Sequence, residues 1–397
     1  MPSLWHTIQQ QAHAHQNRGA WALARECYAQ ALALEPANPY TQLALAQLTM
    51  METQFRDGRD GYEARFGTRD SQEFPEWRML PIPRWQGEPL AGKRLYLWAE
   101  NGFGDVIMFA AFLPQLLAQR PAGVTLGMYP KMLSLFARAF PSVHVETLFD
   151  GYKHAFSQGM LELYPLLASG VVPGQEEALA ALKEPYEYAQ IHGICDYAAP
   201  MGDLLVYGMP GIVPAKQTAP YLTADPTLLA GLRTQFAAEP PARRIGISWY
   251  SNNAFDGDIR TIPLPLWEKL LKTPGCRFYS LQHFVAAEEI AQFNRATGCN
   301  LIAPDFNPGS DTEQLTALTS AMDEIITIDN SNAHLAGALG VPTTLLLPKG
   351  HNFRWPELRG EPSNLWYPHL RIARQQAVGD WAPVMARITE TLAQANR

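Results

Sequence analysis

The chain has 397 residues, and at roughly 150 residues per domain this length predicts two or three domains. With 31 Lys and Arg against 38 Asp and Glu, the formal net charge is −7, which argues against nucleic-acid and acidic-lipid partners. We find no signal peptide and no apolar stretch that suits a membrane span. The widely spaced cysteines fit a reducing cytoplasm and argue against a zinc site: Cys27, Cys195, Cys276 and Cys299.

Residues 1–70 predict a short all-α region. A small residue, an aromatic, a small residue and a proline, at Ala24, Tyr28, Ala31 and Pro36, match the second helix of a tetratricopeptide repeat. The next helices match the repeat poorly, so the region is too short for a free-standing solenoid. The alternative is a generic helical cap.

Two α/β halves follow a Pro- and Trp-rich linker at 71–90. The first half, 91–226, opens with an apolar strand at 94–99, the glycine loop 100–105 and an apolar helix, which is the opening of a nucleotide-binding domain. The second half, 227–397, alternates strands and helices and ends in an amphipathic helix. Two such halves predict a cleft in which a ligand binds.

The loop Glu-Asn-Gly-Phe-Gly-Asp at 100–105 is the first candidate site. Gly102 and Gly104 allow close approach of the backbone to a ligand, and the helix start offers N–H groups to an anion. Asp105 lies at the carboxyl end of a strand, where it can act as a general base. The alternative is that Asp105 only caps the helix.

A second candidate site is the segment Asp329-Asn-Ser-Asn-Ala-His334, between a predicted strand and a predicted helix. Its side chains and the helix N-terminus can hold a diphosphate through Asp329, Ser331, Asn332 and His334. The alternative is that the aspartate and serine are capping residues and the histidine is a satisfied, half-buried one.

A third candidate site follows the first strand of the second half. Ser248 and Asn252, with Arg260 nearby, can clamp a pyrophosphate, or they form a polar loop with an exposed arginine. Trp355 and Trp366 can stack on a base or sugar, although a core role suits them better. The sequence shows no metal-binding pattern, no esterase elbow and no P-loop.

Taken in order, these segments resemble the bacterial tetratricopeptide-containing glycosyltransferases related to the lipopolysaccharide heptosyltransferases, glycosyltransferase family nine. The resemblance runs from about Gly19 to the end of the chain. It is carried by these segments: YEARF at 62–66, WQGEPLAGKRLYLWAENGFGDVIMF at 85–109, PYLTAD at 220–225, RIGISWYSNN at 244–253, RTIPL at 260–264, LQ at 281–282, IDNSNAHLAGALGVP at 328–342, FRW at 353–355 and WYPHLRIARQQAVGDW at 366–381.

The resemblance implies a GT-B fold, in which two Rossmann-like domains face a cleft and the C-terminal helix packs back on the first. It implies an inverting, metal-independent transfer of sugar from a nucleotide-diphosphate-sugar donor to a protein or glycan acceptor. Asp105 matches the family's base, and Asp329, Ser331, Asn332, His334, Asn252 and Arg260 match its donor-binding segments. The chain departs from the family at Ser251, Asn330 and Thr261, and residues 150–200, where acceptor contacts are expected, match poorly.

Two other classes of function remain open. In the first, the chain is an inactive scaffold that binds a protein partner through its helical N-terminus. In the second, it is an epimerase or hydrolase acting on a nucleotide-sugar without an acceptor. The nucleotide-sugar is a substrate in each enzymatic case, so no cofactor is expected.

Overall fold

The computed structural model describes residues 3–53, 57–68, 83–147, 195–208, 219–253, 256–358, 361–362 and 364–396. They group into two compact units. One unit contains the described residues of 3–68, 102–111 and 219–396, and the other contains 83–101, 112–147 and 195–208. The segment 102–111, which carries the glycine loop's aspartate, therefore groups with the second α/β half. The domain boundaries given above stay a prediction.

The N-terminal region is helical, as predicted. Its helices are α1 (Leu4–Asn17), α2 (Trp21–Leu34), α3 (Pro39–Thr53) and α4 (Arg59–Tyr62), with a 3-10 turn at Glu63–Gly67. Helix α2 buries Ala24, Tyr28 and Ala31, the small-aromatic-small positions noted in the sequence. This pattern lets α1 and α2 lie close together. The tetratricopeptide character of the region stays a prediction.

The smaller unit contains a parallel sheet of four strands in the order β3-β2-β1-β4. The strands are β1 (Arg94–Trp98), β2 (Gly123–Met128), β3 (His144–Thr147) and β4 (Tyr197–Pro200). Helix α5 (Phe103–Ala110) follows β1 in the chain, and the unit's own helices are α6 (Leu113–Ala118), α7 (Leu133–Ala139) and α8 (Asp203–Tyr207), with a 3-10 turn at Pro130–Met132.

Only residues 83–90 of the predicted linker are described, and they are part of this smaller unit. Arg84 pairs with the fully buried Asp203 through two bonds of 2.7 Å, and the Trp85 side chain is buried. Most of the region expected to contact an acceptor, 150–200, lies outside the described residues, as does much of the proline-rich segment 210–226.

The larger unit is built on a parallel sheet of six strands in the order β12-β9-β8-β5-β6-β7. The strands are β5 (Arg243–Ser248), β6 (Cys276–Ser280), β7 (Leu301–Ile302), β8 (Glu324–Ile328), β9 (Thr343–Leu347) and β12 (Leu370–Arg374), with a separate hairpin of β10 (Glu357–Leu358) and β11 (Glu361–Pro362). Every residue of β8 and β9 is buried. These apolar runs, EIITI and TTLLL, are typical of strands covered on both faces.

Helices connect these strands. They are α9 (Pro226–Ala237), α10 (Gly257–Arg260), α11 (Glu268–Leu271), α12 (Ala287–Thr297), α13 (Thr312–Ser320), α14 (Ser331–Ala338) and α15 (Ala382–Ala395), with a 3-10 turn at Leu264–Trp267. The mixed α/β class with parallel sheets and a helical front end is therefore confirmed. Among the described residues, no helix is both long enough and apolar enough to cross a membrane.

The C-terminal helix α15 buries one face in the larger unit. Val384, Met385 and Ile388 join a core cluster with Ile247 of β5 and Phe278 of β6. This packing is with the second half of the chain, whereas the resemblance implied packing on the first half. Contact with the first half stays a prediction.

The topology places several loops together at one edge of the six-stranded sheet. Because the strands are parallel, the loops after β5, β6, β8 and β9 all leave at the carboxyl end, the usual place for ligands in open α/β sheets. We call this end the carboxyl edge. It carries the second and third candidate segments of the sequence.

Candidate functional site

The site is organised around an ion pair between Asp105 and Arg354. Asp105 lies in the first turn of α5 and is 7% exposed. Arg354 Nε donates to Asp105 Oδ1 at 2.6 Å and Nη2 donates to Oδ2 at 2.9 Å. Burial by itself would raise the pKa of Asp105, but Arg354, with help from His334 and the Gly102 backbone, holds it below its ordinary value. Asp105 is therefore a carboxylate, and more than a helix cap.

Arg354 is held in place by a second carboxylate, Asp329, at the end of β8. Trp355 Nε1 donates to Asp329 Oδ1 at 2.8 Å, and Asn352 Nδ2 donates to Oδ2 at 3.3 Å. Asp329 is 1% exposed, so its charge is used to anchor the loop after β9. In this structure Asp329 supports the loop that carries Arg354, and its predicted role in binding the donor stays a prediction.

His334 lies between the two carboxylates in the first turns of α14. Its ring stacks on Trp355 with centroids 5.1 Å apart and planes 15° apart, and Nδ1 is 2.9 Å from the Tyr367 hydroxyl. Burial lowers the pKa of His334 to about 4, so the ring is neutral at pH 7. Nε2 is buried and has no hydrogen-bond partner among the described residues. Such an atom in a folded protein needs a physical reason, and a ligand is one.

Gly104 brings the first turns of α5 and α14 together. A Cβ at this position would lie 3.1 Å from His334 Cδ2 and 3.2 Å from Ser331 Cα. Gly102 is the N-cap residue of α5, with extended backbone. Gly104 thus allows the close approach of two helix N-termini, which brings the next residue, Asp105, near Ser331 and His334.

Asn330 caps α14 and links it to the strands below. Its Oδ1 accepts from the Asn332 backbone N–H at 3.0 Å, and its Nδ2 donates to Ser248 Oγ at 2.9 Å. Ser248 is fully buried and lies 2.5 Å from Thr327 Oγ1. In this structure Ser248 therefore holds the side chain of Asn330. Its predicted contact with the nucleotide-sugar donor stays a prediction.

Asn332 ties α14 to the neighbouring loop after β6. Its Nδ2 donates to the Leu281 carbonyl at 2.9 Å, and its Oδ1 is buried with no hydrogen-bond partner in the described part of the chain. Asn332 therefore fixes the loop after β6 at the carboxyl edge, and its Oδ1 can still accept a hydrogen bond.

Arg260 is buried at the same edge. The alternative interpretation, in which Arg260 is an exposed arginine of a polar loop, is therefore wrong on its exposure. Arg260 Nη1 donates to the Asp329 carbonyl at 2.9 Å, and its guanidinium also pairs with Asp256. It is 8% exposed. Asn252, by contrast, is exposed on the loop after β5.

The arrangement suits an anion. The N-terminal turns of α5 and α14 lie side by side, and helix N-termini carry partial positive charge. Two arginines, Arg260 and Arg354, lie at the same edge, and each already has an anionic partner with which a ligand anion can compete. Trp355 and Trp366 are fully buried, so neither is free to stack on a ligand.

The structure brings together most of the residues predicted from the sequence. Gly104 meets Ser331 and His334 directly, and Gly102 and Asp105 lie in the same turn of α5. Asp329, Asn332, Ser248 and Arg260 form the support around them. The sequence did not predict the partners Arg354, Asn352 and Tyr367. Arg354 and Tyr367 lie in the FRW and WYP segments of the family resemblance. Their contacts could not be predicted, because they join residues far apart in the chain.

Comparison with known proteins supports the same fold. No family model matches the sequence. Protein FlbA of Caulobacter vibrioides is 29% identical over 359 residues, covering 88% of this chain and 54% of that protein. The chain thus spans about half the length of this relative.

Two solved structures resemble the chain at low sequence identity. The glycosyl transferase family 9 protein from Veillonella parvula matches 78% of this chain and 100% of its own, with 12% identity and a TM-score of 0.53. ADP-heptose lipopolysaccharide heptosyltransferase II of E. coli matches 76% of this chain and 98% of its own, with 15% identity and a TM-score of 0.49. The first likeness shows that the chain has the fold of a family 9 glycosyl transferase. The second is too weak to add to it.

Proposed function

We propose that this chain is a glycosyltransferase that moves a sugar from a nucleotide-diphosphate-sugar donor to a protein or glycan acceptor. The observation that carries the proposal is the buried Asp105 carboxylate on the first turn of α5, beside the first turn of α14. Asp105 can take a proton from the acceptor, while the first turn of α14 receives the departing diphosphate. The likeness of fold to a family 9 glycosyl transferase supports the same conclusion.

The proposed reaction is a direct displacement with inversion at the anomeric carbon. Asp105 takes the proton of the acceptor nucleophile, whose lone pair forms the new bond to that carbon. The bond from the carbon to the diphosphate oxygen breaks, and the nucleotide diphosphate leaves with the electron pair. General-base catalysis of this kind is typically worth about 10²–10⁴ in rate.

Arg354 restrains this base in the free protein. It occupies one lone-pair site on each oxygen of Asp105 and lowers its pKa, which weakens it as a base. We propose that the donor's diphosphate draws Arg354 away. The pKa of Asp105 then rises, and Arg354 adds its charge to the leaving group.

The leaving group is proposed to lie against the first turn of α14. Ser331 and Arg260 donate to the diphosphate there, and Asn332 holds the turn in place through its bond to the Leu281 carbonyl. In the tautomer in which the Tyr367 hydroxyl donates to Nδ1, the neutral His334 ring carries its proton on Nε2 and can donate it as a hydrogen bond. Because arginines and helix N-termini neutralise the developing charge, the proposal requires no metal ion.

The test is calorimetric titration of the full chain with UDP, ADP, GDP and CMP, with and without magnesium. We expect one clear binder whose affinity is insensitive to magnesium. Asp105→Asn should retain that binding and lose most of the sugar transfer, while Arg260→Ala should weaken binding of the diphosphate. Transfer at the wild-type rate by Asp105→Asn would remove Asp105 as the base.

Three results would replace the proposal. Binding of none of the four nucleotides would favour the scaffold, whose partner would then be sought through the helical N-terminus. Release of free sugar and nucleotide at full rate without an acceptor would favour a hydrolase. A donor sugar altered in configuration but still linked to nucleotide would favour an epimerase.

A further inference from the structure

Phe284, in the loop after β6, has two features that are unfavourable for the free protein. Its side chain is 72% exposed, more than any other large hydrophobic residue that the structure describes. Its backbone has φ of 61°, and it is the only apolar residue other than glycine with positive φ among the described residues. A bulky residue in this left-handed region is an outlier, and such outliers point to function.

The loop that presents Phe284 is rigidly tied to the loop after β5. Gln282 Oε1 accepts from the backbone N–H groups of Trp249 and Tyr250 at 2.8 and 2.9 Å. Gln282 Nε2 donates to the carbonyls of Tyr250 and His283 at 3.0 and 2.8 Å. The Tyr250 side chain is 38% exposed, so this junction displays two aromatic rings on adjacent loops.

The same loop is tied to the first turn of α14. Asn332 donates to the carbonyl of Leu281, the residue that precedes Gln282. Hydrogen bonds thus fix Leu281 to Asn332, and Gln282 to Tyr250 and to His283, the residue before Phe284. The aromatic pair has a defined position relative to the proposed diphosphate position.

The spacing of the strands fits a nucleotide. In the sheet order, β5 lies between β8, which precedes α14, and β6, which precedes Phe284. The two strands that lead into these segments are therefore two strand spacings apart, or roughly 10 Å along the carboxyl edge. A nucleoside diphosphate has an anionic end and a flat aromatic end joined by a sugar, and it spans a distance of this order.

We propose that Phe284, with Tyr250 beside it, is the stacking surface for the nucleobase of the donor. This inference rests on the proposed function and adds a position for the base, two strands away from the diphosphate. Stacking covers the exposed ring and accounts for the left-handed backbone, which turns the ring outward. Because every base has an aromatic face, Phe284 provides affinity, and base identity is read by other groups.

The test compares nucleoside diphosphates with inorganic pyrophosphate, which lacks a base. Removing a base–aromatic stack weakens binding by roughly 5- to 150-fold. We therefore expect Phe284→Ala to weaken the binding of UDP, ADP or GDP, whichever the wild type prefers, by a factor in this range. Its affinity for pyrophosphate should not change. Phe284→Tyr should keep nucleotide affinity within a few-fold of the wild type, because the ring remains.

Two control variants distinguish the loss of a base stack from a general loss of binding. Leu23→Ala removes a side chain that is 48% exposed on α2 and should change neither affinity. Arg260→Ala should weaken both nucleotide and pyrophosphate. Because Phe284 is exposed, its alanine variant should unfold at the wild-type temperature.

Wild-type nucleotide affinity in Phe284→Ala, with the Arg260→Ala loss still present, would overturn the stacking role and leave the proposed function intact. Equal losses for nucleotide and pyrophosphate in Phe284→Ala would also overturn it, because the loop would then act on the diphosphate. Absence of nucleotide binding by the wild type would overturn the proposed function and this inference together.

Discussion

Arg354 holds both carboxylate oxygens of Asp105 across 249 residues of sequence. The pair connects the first turn of α5 to the loop after β9, and both partners are largely buried. It lies within the unit that joins residues 102–111 to the second α/β half. The pair also makes the pKa of Asp105, the proposed base, depend on Arg354, a cation that a diphosphate can attract.

The Asp105–Arg354 pair should show strong energetic coupling. Arg354→Gln leaves a buried carboxylate unpaired, and Asp105→Asn leaves a guanidinium unpaired, so each should lower the free energy of unfolding by about 3 kcal/mol. The double variant should lose less than the sum of the two single losses, by about 1–3 kcal/mol. Denaturant unfolding of the four proteins at pH 7 measures this. Additive losses would show that the pair contributes no net interaction.

The same pair should set the acid limit of stability. The pKa of Asp105 is lower in the folded chain than in the unfolded chain, so its stabilisation is complete above the unfolded value near 4 and is lost as pH falls below it. Arg354→Gln should raise the pKa of Asp105 in the folded chain to or above that of the unfolded chain, because burial is then unopposed, so this loss of stability in acid should shrink or disappear. The measurement is the unfolding midpoint between pH 3 and 6, with Arg295→Gln, which breaks the exposed pair with Glu288, as the control.

Gly104→Ala should separate the first turns of α5 and α14. The new Cβ would lie 3.1 Å from His334 Cδ2 and 3.2 Å from Ser331 Cα, closer than ordinary contact, and overpacking of this kind costs about 1–3 kcal/mol. Gly231→Ala, within α9, meets nothing within 4 Å and should instead stabilise the protein by about 0.4–1 kcal/mol. Thermal unfolding of both variants tests the contrast. Equal effects would mean that the helices can move apart freely.

The helical front end should support the loop that carries Arg354. Trp21 Nε1 donates to Glu357 Oε1 at 3.2 Å, and the Trp21 ring packs on His351 with centroids 5.3 Å apart. Trp21→Ala should therefore speed hydrogen exchange in residues 349–357 as well as in α1 and α2. Leu23→Ala, two positions away on an exposed face, should leave exchange of that loop unchanged. A loop unaffected by Trp21→Ala would show that the front end and the loop are independent.

His351 should make stability fall as the solution becomes weakly acidic. Burial, with the nearby Arg374, lowers the pKa of His351 from 6.5 to about 3. His351 therefore binds a proton near pH 6.5 in the unfolded chain but only near pH 3 in the folded chain. The free energy of unfolding consequently decreases as pH falls through this window. Between pH 7.5 and 5 this loss is about 2 kcal/mol. His351→Phe removes the titration and keeps a ring against Trp21, so its unfolding free energy should be less dependent on pH. The same slope in both proteins would contradict this.

Much of the fold was predictable because the local signals were strong. The apolar runs of β1, β5, β8 and β9 form strands, as such runs predict. The single apolar helix predicted after the glycine loop is instead two helices, α5 and α6, since the chain turns at Ala111 and Phe112. Strand β12 was not predicted. It is an edge strand, and its arginines at 371 and 374 interrupt the apolar run that would have indicated a strand.

The sequence by itself determined which segments bear polar groups at strand ends: the glycine loop, the Asp329–His334 segment and the loop after β5. Short-range periodicity and turn chemistry are encoded within a few residues, so they can be seen in one dimension. Only the tertiary structure decided that Asp105 pairs with Arg354, that Asp329 anchors the arginine's loop and that Phe284 is turned outward. Those facts depend on strand order and on contacts between residues far apart in the chain, and no local pattern records which distant residue a buried charge will meet.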